Sequence, residues 1–189
     1  MEKRELKTES KKGLSLQDLL LTAVLLAAGA VLKFFVGSII NIAGMKPNFI
    51  IAMYCMAIVL IRPNILYSLI IGILAGAICQ FFPGTPYLNF ASEIAGAVCM
   101  GLMIMIPFKT KKMSVVLAVI NTFVSTVVSG GLYTILLFTV IKSDPAAMAA
   151  YVPIVSCTAI LNAIIVGVLY LPLMKVLKKD VVVAEKKAE

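Results

Sequence analysis

From Leu16 to Leu177 the chain is a succession of apolar runs, each ended by a short polar or turn-forming stretch. Nothing constrains its fold more. In hydrocarbon every backbone N–H and C=O must be satisfied within the protein, and for runs of this kind the solution is a helix. A bilayer takes about 20 predominantly apolar residues as a helix. The runs lie at about Leu16–Val36, from the Lys46-Pro47 turn to Ile61, at about Ile65–Phe82, Phe90–Phe108, Met113–Ile141 and Ala146–Leu177. All but the short second run are near or above that length. The expected fold class is therefore an all-α membrane protein, a bundle of six transmembrane helices over residues 16–177. A charged segment (1–15) precedes it and a charged tail (178–189) follows. Charged residues are 14% of the chain, against roughly 25% in soluble domains. The first run is long and no small-residue cleavage site follows it, so it reads as a span rather than a cleaved signal. Ser15 followed by Asp18 has the form of a helix start with a first-turn acid.

Lysine and arginine set the expected orientation. With both termini in the cytoplasm, only Lys33, Lys46 and Lys142 of the 17 basic residues fall on the outer side. The Gly44–Phe49, Pro83–Asn89 and Lys142–Pro145 loops then share the outer face. The net charge of +8 is concentrated at membrane ends, where it fits headgroups; a nucleic-acid partner is not expected.

Several chemistries are excluded. The chain has no His, and Cys55, Cys79, Cys99 and Cys157 lie inside apolar runs without C-x-x-C spacing. No zinc site, and no metal or cofactor, is expected; the cysteines read as small core residues. There is no G-x-x-x-x-G-K-[ST] for ATP, and no H-E-x-x-H or G-x-S-x-G for hydrolysis. An enzyme is not expected.

The polar residues among the runs carry the functional signal. Gly44-Met45-Lys46-Pro47-Asn48-Phe49 reads as a loop feeding a helix, with Pro47 fit for a first turn. Lys46 there is either a cation snorkelling at the membrane edge or, beside a helix N-terminus, part of a carboxylate site. Glu93, one turn after Asn89, is an ionisable group in hydrocarbon and marks function by default. Its candidate partners are Lys46, Lys33 or a bound ammonium; the alternative is a structural ion pair. Asn121, Ser125, Ser129 and Tyr133 form a stripe at four-residue spacing, and Tyr151, Thr158 and Asn162 form another. Such stripes serve as interhelical hydrogen bonds or line a pocket. Phe81, Phe82, Tyr87 and Tyr151 supply either aromatic walls or an interfacial belt. Ala23/Ala27 and Gly72/Gly76 are small-x-x-x-small pairs, suited to close packing within the chain or against a separate subunit.

Six spans, basic inner ends and Ala23-x-x-x-Ala27 resemble the substrate-binding S components of energy-coupling factor (ECF) transporters. Within those, Gly44-Met45-Lys46-Pro47-Asn48-Phe49 and the Met-rich Ala52–Leu60 that follows are similar to the bacterial tryptophan-transporter family, over about residues 16–177. Asn48 stands where the family pattern often has an acid, which leaves room for a different ligand. The resemblance implies a multi-pass protein of the bacterial cell membrane that captures its substrate outside. It then docks on a transmembrane coupling subunit served by two ATPase subunits, with Ala23 and Ala27 as the docking residues. Tryptophan needs an anion for its ammonium, a cation or helix start for its carboxylate and an apolar aromatic slot for its indole. The candidate substrate-binding residues are Lys46, Asn48, Tyr87, Asn89, Glu93, Ser125, Ser129, Tyr151 and Asn162. The alternatives are an S component for a vitamin or another small metabolite, or a solitary transporter without an ATPase partner.

The charge distribution predicts that a single cysteine at position 85 is labelled by an impermeant maleimide in intact cells. Labelling only after permeabilisation would overturn the orientation.

Overall fold

A computed structural model of the chain describes residues 14–40, 46–85, 87–106, 111–141 and 148–177. Among them are six helices and no strand, as the apolar runs imply: α1 (Leu16–Ile39), α2 (Ile50–Ile61), α3 (Ile65–Cys79), α4 (Leu88–Met103), α5 (Lys111–Thr139) and α6 (Met148–Val176). Gly44, Met45, the Lys142–Pro145 turn and both charged ends lie outside the described residues, as do Lys109 and Thr110.

The helix boundaries follow local chemistry. Ser15 caps α1 with a capping box: its hydroxyl accepts from the Asp18 N–H while the Asp18 carboxylate accepts from the Ser15 N–H. Arg62 ends α2 in the left-handed region (φ 51°, ψ 54°), Pro63 follows, and the Asn64 side chain caps α3 by accepting from the Tyr67 N–H at 3.0 Å. Across that turn the Arg62 guanidinium donates to the carbonyl oxygens of Ile104 and Ile106 at the end of α4, where a cation suits the negative helix pole.

Three helices, α1, α5 and α6, are long and apolar enough to cross a membrane. The other three are shorter than the sequence runs suggest, with 12, 15 and 16 residues. The third run extends apolar to Phe82, yet α3 stops at Cys79. The N–H groups of Gln80, Phe81 and Phe82 turn to carbonyls three residues back, at 3.1, 3.1 and 3.2 Å, tightening the chain into a turn. The fourth run starts two residues sooner than expected, at Leu88, after Tyr87 takes a positive φ of 67°, and its helix ends sooner, at Met103.

The short α2 is the post of the bundle. All of its residues except Ile61 are buried, and it touches each of the other five helices. Around it α3 packs on α4, α4 on α5 and α5 on α6, while α1 packs chiefly on α2. Lipid tails are as apolar as leucine, so close packing rather than hydrophobic exclusion holds such helices together. Gly72 and Gly76 of α3 serve this seam: a Cβ on Gly72 would lie 2.8 Å from the Ile94 Cα, and one on Gly76 2.9 Å from the Phe90 Cα. This small-residue pair therefore packs the chain on itself. Ala23 and Ala27 do the opposite. Leu25, Leu26 and Gly29 of α1 are turned inward, while Ala23 and Ala27 are exposed on a face with Leu20, Val24 and Val31. All four cysteines are free; Cys157 is exposed rather than in the core, because it lies on the outer side of α6.

Gly72→Ala is expected to lower the thermal midpoint in detergent, at a cost of about 1–3 kcal/mol, since backbone must move to admit the methyl. Gly131, with nothing within 4 Å of an added Cβ, is the control: Gly131→Ala should be neutral or mildly stabilising. Equal midpoints for the two variants would refute the close α3–α4 approach.

Candidate functional site

All the helix ends at one pole of the bundle contribute to a single cavity of about 440 Å³. That lies within the roughly 300–1,000 Å³ usual for small-molecule sites. It is lined from α1 by Lys33, from the start of α2 by Lys46, Asn48 and Ile51, and from the first turns of α4 by Asn89, Ser92 and Glu93. The loop after α3 adds Phe82 to Thr85; the second half of α5 and the first half of α6 close the rest.

Glu93 is the chemical centre. It is only 1% exposed, and a buried carboxylate without donors would be very costly. Three elements supply them. The Asn48 side-chain amide donates to Oε1, the Ser129 hydroxyl of α5 donates to Oε2 at 3.3 Å, and the Cys79 thiol at the end of α3 lies 3.7 Å from Oε1. Lys33 reaches the same cluster from α1: its ammonium donates to the Cys79 sulfur at 3.3 Å and sits 5.1 Å from the centre of the Phe82 ring, within cation–π reach. Asn162 of α6 holds Asn48 from behind, its amide donating to the Asn48 carbonyl at 3.1 Å and to Thr126 Oγ1 at 3.4 Å.

The cavity thus carries one carboxylate and two ammonium groups, Lys33 and Lys46, on different elements. Beside Lys46 lies the N-terminus of α2, which no side chain caps; its first-turn N–H groups and its dipole favour an anion. Toward α5 and α6 the lining turns apolar and aromatic, with Leu137, Ile154, Val155, Tyr133 and Tyr151. Tyr151 is steadied by an edge-on contact with Phe138, ring centres 5.2 Å apart. Gln80 ties the loop that follows α3: its amide donates to the Gly76 carbonyl at 3.1 Å and its oxygen accepts from the Tyr87 N–H at 3.2 Å. Such a cavity can hold a small molecule that is cationic at one point, anionic at another, and apolar elsewhere.

Of the nine candidate substrate-binding residues, Lys46, Asn48, Asn89, Glu93, Ser129 and Tyr151 meet at this cavity, joined by Phe82, Tyr133 and Thr158 from the aromatic and polar stripes. Three lie elsewhere. Ser125 is fully buried beneath it, donating to the Gly96 carbonyl at 2.8 Å and accepting from the Cys55 thiol at 3.3 Å. Asn162 is behind the wall. Tyr87 is 77% exposed and points away from the lining, because its left-handed backbone turns it outward. Sequence reasoning treated Lys33 only as a partner for Glu93 and passed over Thr126 and Thr134. The signal for these two was present as a second stripe, Thr122, Thr126 and Thr134, one position along from the serines.

Residues 15–178 match the family model described as "Tryptophan transporter TrpP". The "Probable tryptophan transport protein" of Clostridium acetobutylicum is 27% identical over 165 residues, covering 86% of this chain and 94% of that protein. No solved structure matches the chain.

Proposed function

The chain belongs to the tryptophan transporter family TrpP, and from that premise we propose that it is the substrate-capturing subunit of an ECF-type importer for tryptophan. It is a multi-pass membrane protein of bacterial type. The observation that carries the reading is the buried Glu93 carboxylate in a cavity that also holds Lys33, Lys46 and an uncapped helix N-terminus. A zwitterionic amino acid matches that pattern: its ammonium goes to Glu93, its carboxylate to Lys46 and the start of α2, and its indole to the α5–α6 side. Among the residues named for binding, Asn48 and Ser129 orient Glu93. The ECF role rests on the resemblance of the sequence to S components and on the outward exposure of Ala23 and Ala27, which leaves their face of α1 open to a coupling subunit. ATP hydrolysis belongs to separate partner subunits in this reading. With both termini in the cytoplasm, the cavity opens outward and fills before docking.

The chain contains no Trp, so all indole fluorescence in a titration of purified protein comes from the ligand. L-tryptophan is expected to bind more tightly than phenylalanine or riboflavin. Tight riboflavin or biotin binding without a tryptophan response would favour the vitamin alternative. Uptake by the chain alone, with no ATPase pair co-purifying, would favour a solitary transporter.

Glu93→Gln should weaken tryptophan binding by well over tenfold, since losing one member of a desolvated charge pair costs about 2–5 kcal/mol. Lys46→Met should do likewise. If the two residues serve only as a structural pair, the double variant Glu93→Gln/Lys46→Met recovers binding, and that recovery would sink the ligand-charge assignment.

Ala23→Leu or Ala27→Leu should abolish ATP-driven uptake while leaving tryptophan binding by the isolated chain nearly unchanged. Equal loss of binding and uptake would assign these alanines to the chain's own packing.

A further inference from the structure

Three threonines line the cavity, Thr126 and Thr134 from α5 and Thr158 from α6, and all three are buried. Each has already used its hydroxyl proton. Thr126 donates to the Thr122 carbonyl at 2.8 Å, Thr134 to the Gly130 carbonyl at 2.8 Å and Thr158 to the Ile154 carbonyl at 2.7 Å. A hydroxyl has one proton and two lone pairs, so what these groups present to the cavity is acceptor capacity only. On Thr126 part of that capacity is taken by the Asn162 amide at 3.4 Å. Among the described residues no donor reaches Thr134 or Thr158. Their neighbours in the lining are Leu137, Ile154 and Val155, which offer no hydrogen to bond, and Tyr133 and Tyr151, whose hydroxyls bond neither threonine. The α5–α6 side of the cavity is therefore an apolar and aromatic wall on which Thr134 and Thr158 keep acceptor capacity to spare.

Resting on the reading of the cavity as a tryptophan site, we infer that Thr134 and Thr158 are specificity-determining residues, one of whose hydroxyls accepts the single hydrogen bond of the indole N–H. Indole nitrogen is a donor and nothing else, which is the complement of this wall. Phenylalanine brings no donor to either hydroxyl. A ring carbonyl sets lone pair against lone pair. A site built to hydrogen-bond one ligand group rejects the analogue that lacks it, because the site's own buried polar atoms stay unsatisfied. The charged groups around Glu93 recognise the amino-acid head common to many ligands, and the threonines recognise the ring.

The test is a cycle of two ligands against two proteins, read by calorimetry. The ligands are L-tryptophan and benzothienylalanine, in which sulfur replaces the indole N–H. The proteins are the native chain and Thr134→Val/Thr158→Val. Valine keeps the branched shape, and each helix carbonyl keeps its backbone partner. The native chain should bind tryptophan about tenfold more tightly than the sulfur analogue. In the double variant that ratio should collapse to about one, with tryptophan falling to the level of the analogue. Should the double variant fail to fold, the single variants decide, and the ratio must fall in at least one of them. Equal binding of the two ligands by the native chain overturns the inference, and so does a ratio that persists in the variants or an equal loss of both ligands. Failure of the native chain to bind tryptophan at all is a different result, which overturns the tryptophan reading and this inference with it.

Discussion

The bond from the Asn48 amide to the Glu93 carboxylate is the joint on which the site depends. Asn48 immediately precedes α2, and α2 has 12 residues, about 18 Å of helix. So short a helix begins inside the bundle, where polar backbone and side-chain groups have no water to turn to. Asn48 meets that need from both of its ends. Its side chain binds Glu93 of α4, and its carbonyl receives the Asn162 amide of α6. One residue thereby fixes the height of the central helix relative to two of its neighbours. Because α2 touches every other helix, that height is passed to the whole bundle.

The same joint explains why the cavity has two characters. Polar atoms collect where α2 and α4 begin and α3 ends, since there the backbone is least able to satisfy itself. The carboxylate, the thiol of Cys79 and the ammonium of Lys33 form a chain through that region. The second half of α5 and the first half of α6 lie within regular helix. Their hydroxyls fold back on their own carbonyls, leaving the surface they share largely apolar. The cavity therefore offers a charged end and an apolar, aromatic end for this backbone reason.

Much of this was legible in the sequence, for reasons that differ by residue. The six helices follow from apolar runs and their breakers, and Ser15 with Asp18 marked the start of α1 correctly. Ala23 with Ala27 and Gly72 with Gly76 had the same spacing and opposite fates, one pair exposed and one packed on α4. Periodicity gives a face but not what covers it. The ends of α3 and α4 were overestimated because composition stays apolar through the tight turns at Gln80–Phe82 and Ile104–Ile106. Glu93 was found by its cost in hydrocarbon. Lys33 was undervalued because a lysine near a helix end is usually a snorkelling one, and only the fold brings it to Cys79 and Phe82. Ser125 and Asn162 share helical faces with cavity residues but lie a turn too deep, which no one-dimensional pattern can tell.

The unequal helix lengths reach into the surrounding lipid. By length alone α5 and α6, with 29 residues each, extend about 43 Å, whereas α3 and α4, with 15 and 16, extend about 22–24 Å. A hydrocarbon core is about 30 Å thick. The α3 flank carries exposed Leu66, Ile70, Ile73 and Leu74; a bilayer spanned there by α3 alone would have to compress its acyl chains. That elastic strain costs a fraction of a kcal/mol for each ångström of mismatch and is confined to one side of the protein. With α3 spanning, the bilayer would act as an asymmetric spring pressing on the chain. Its stiffness and thickness, set by acyl-chain length and sterol-like lipids, become variables of the protein's own energetics, alongside any ligand.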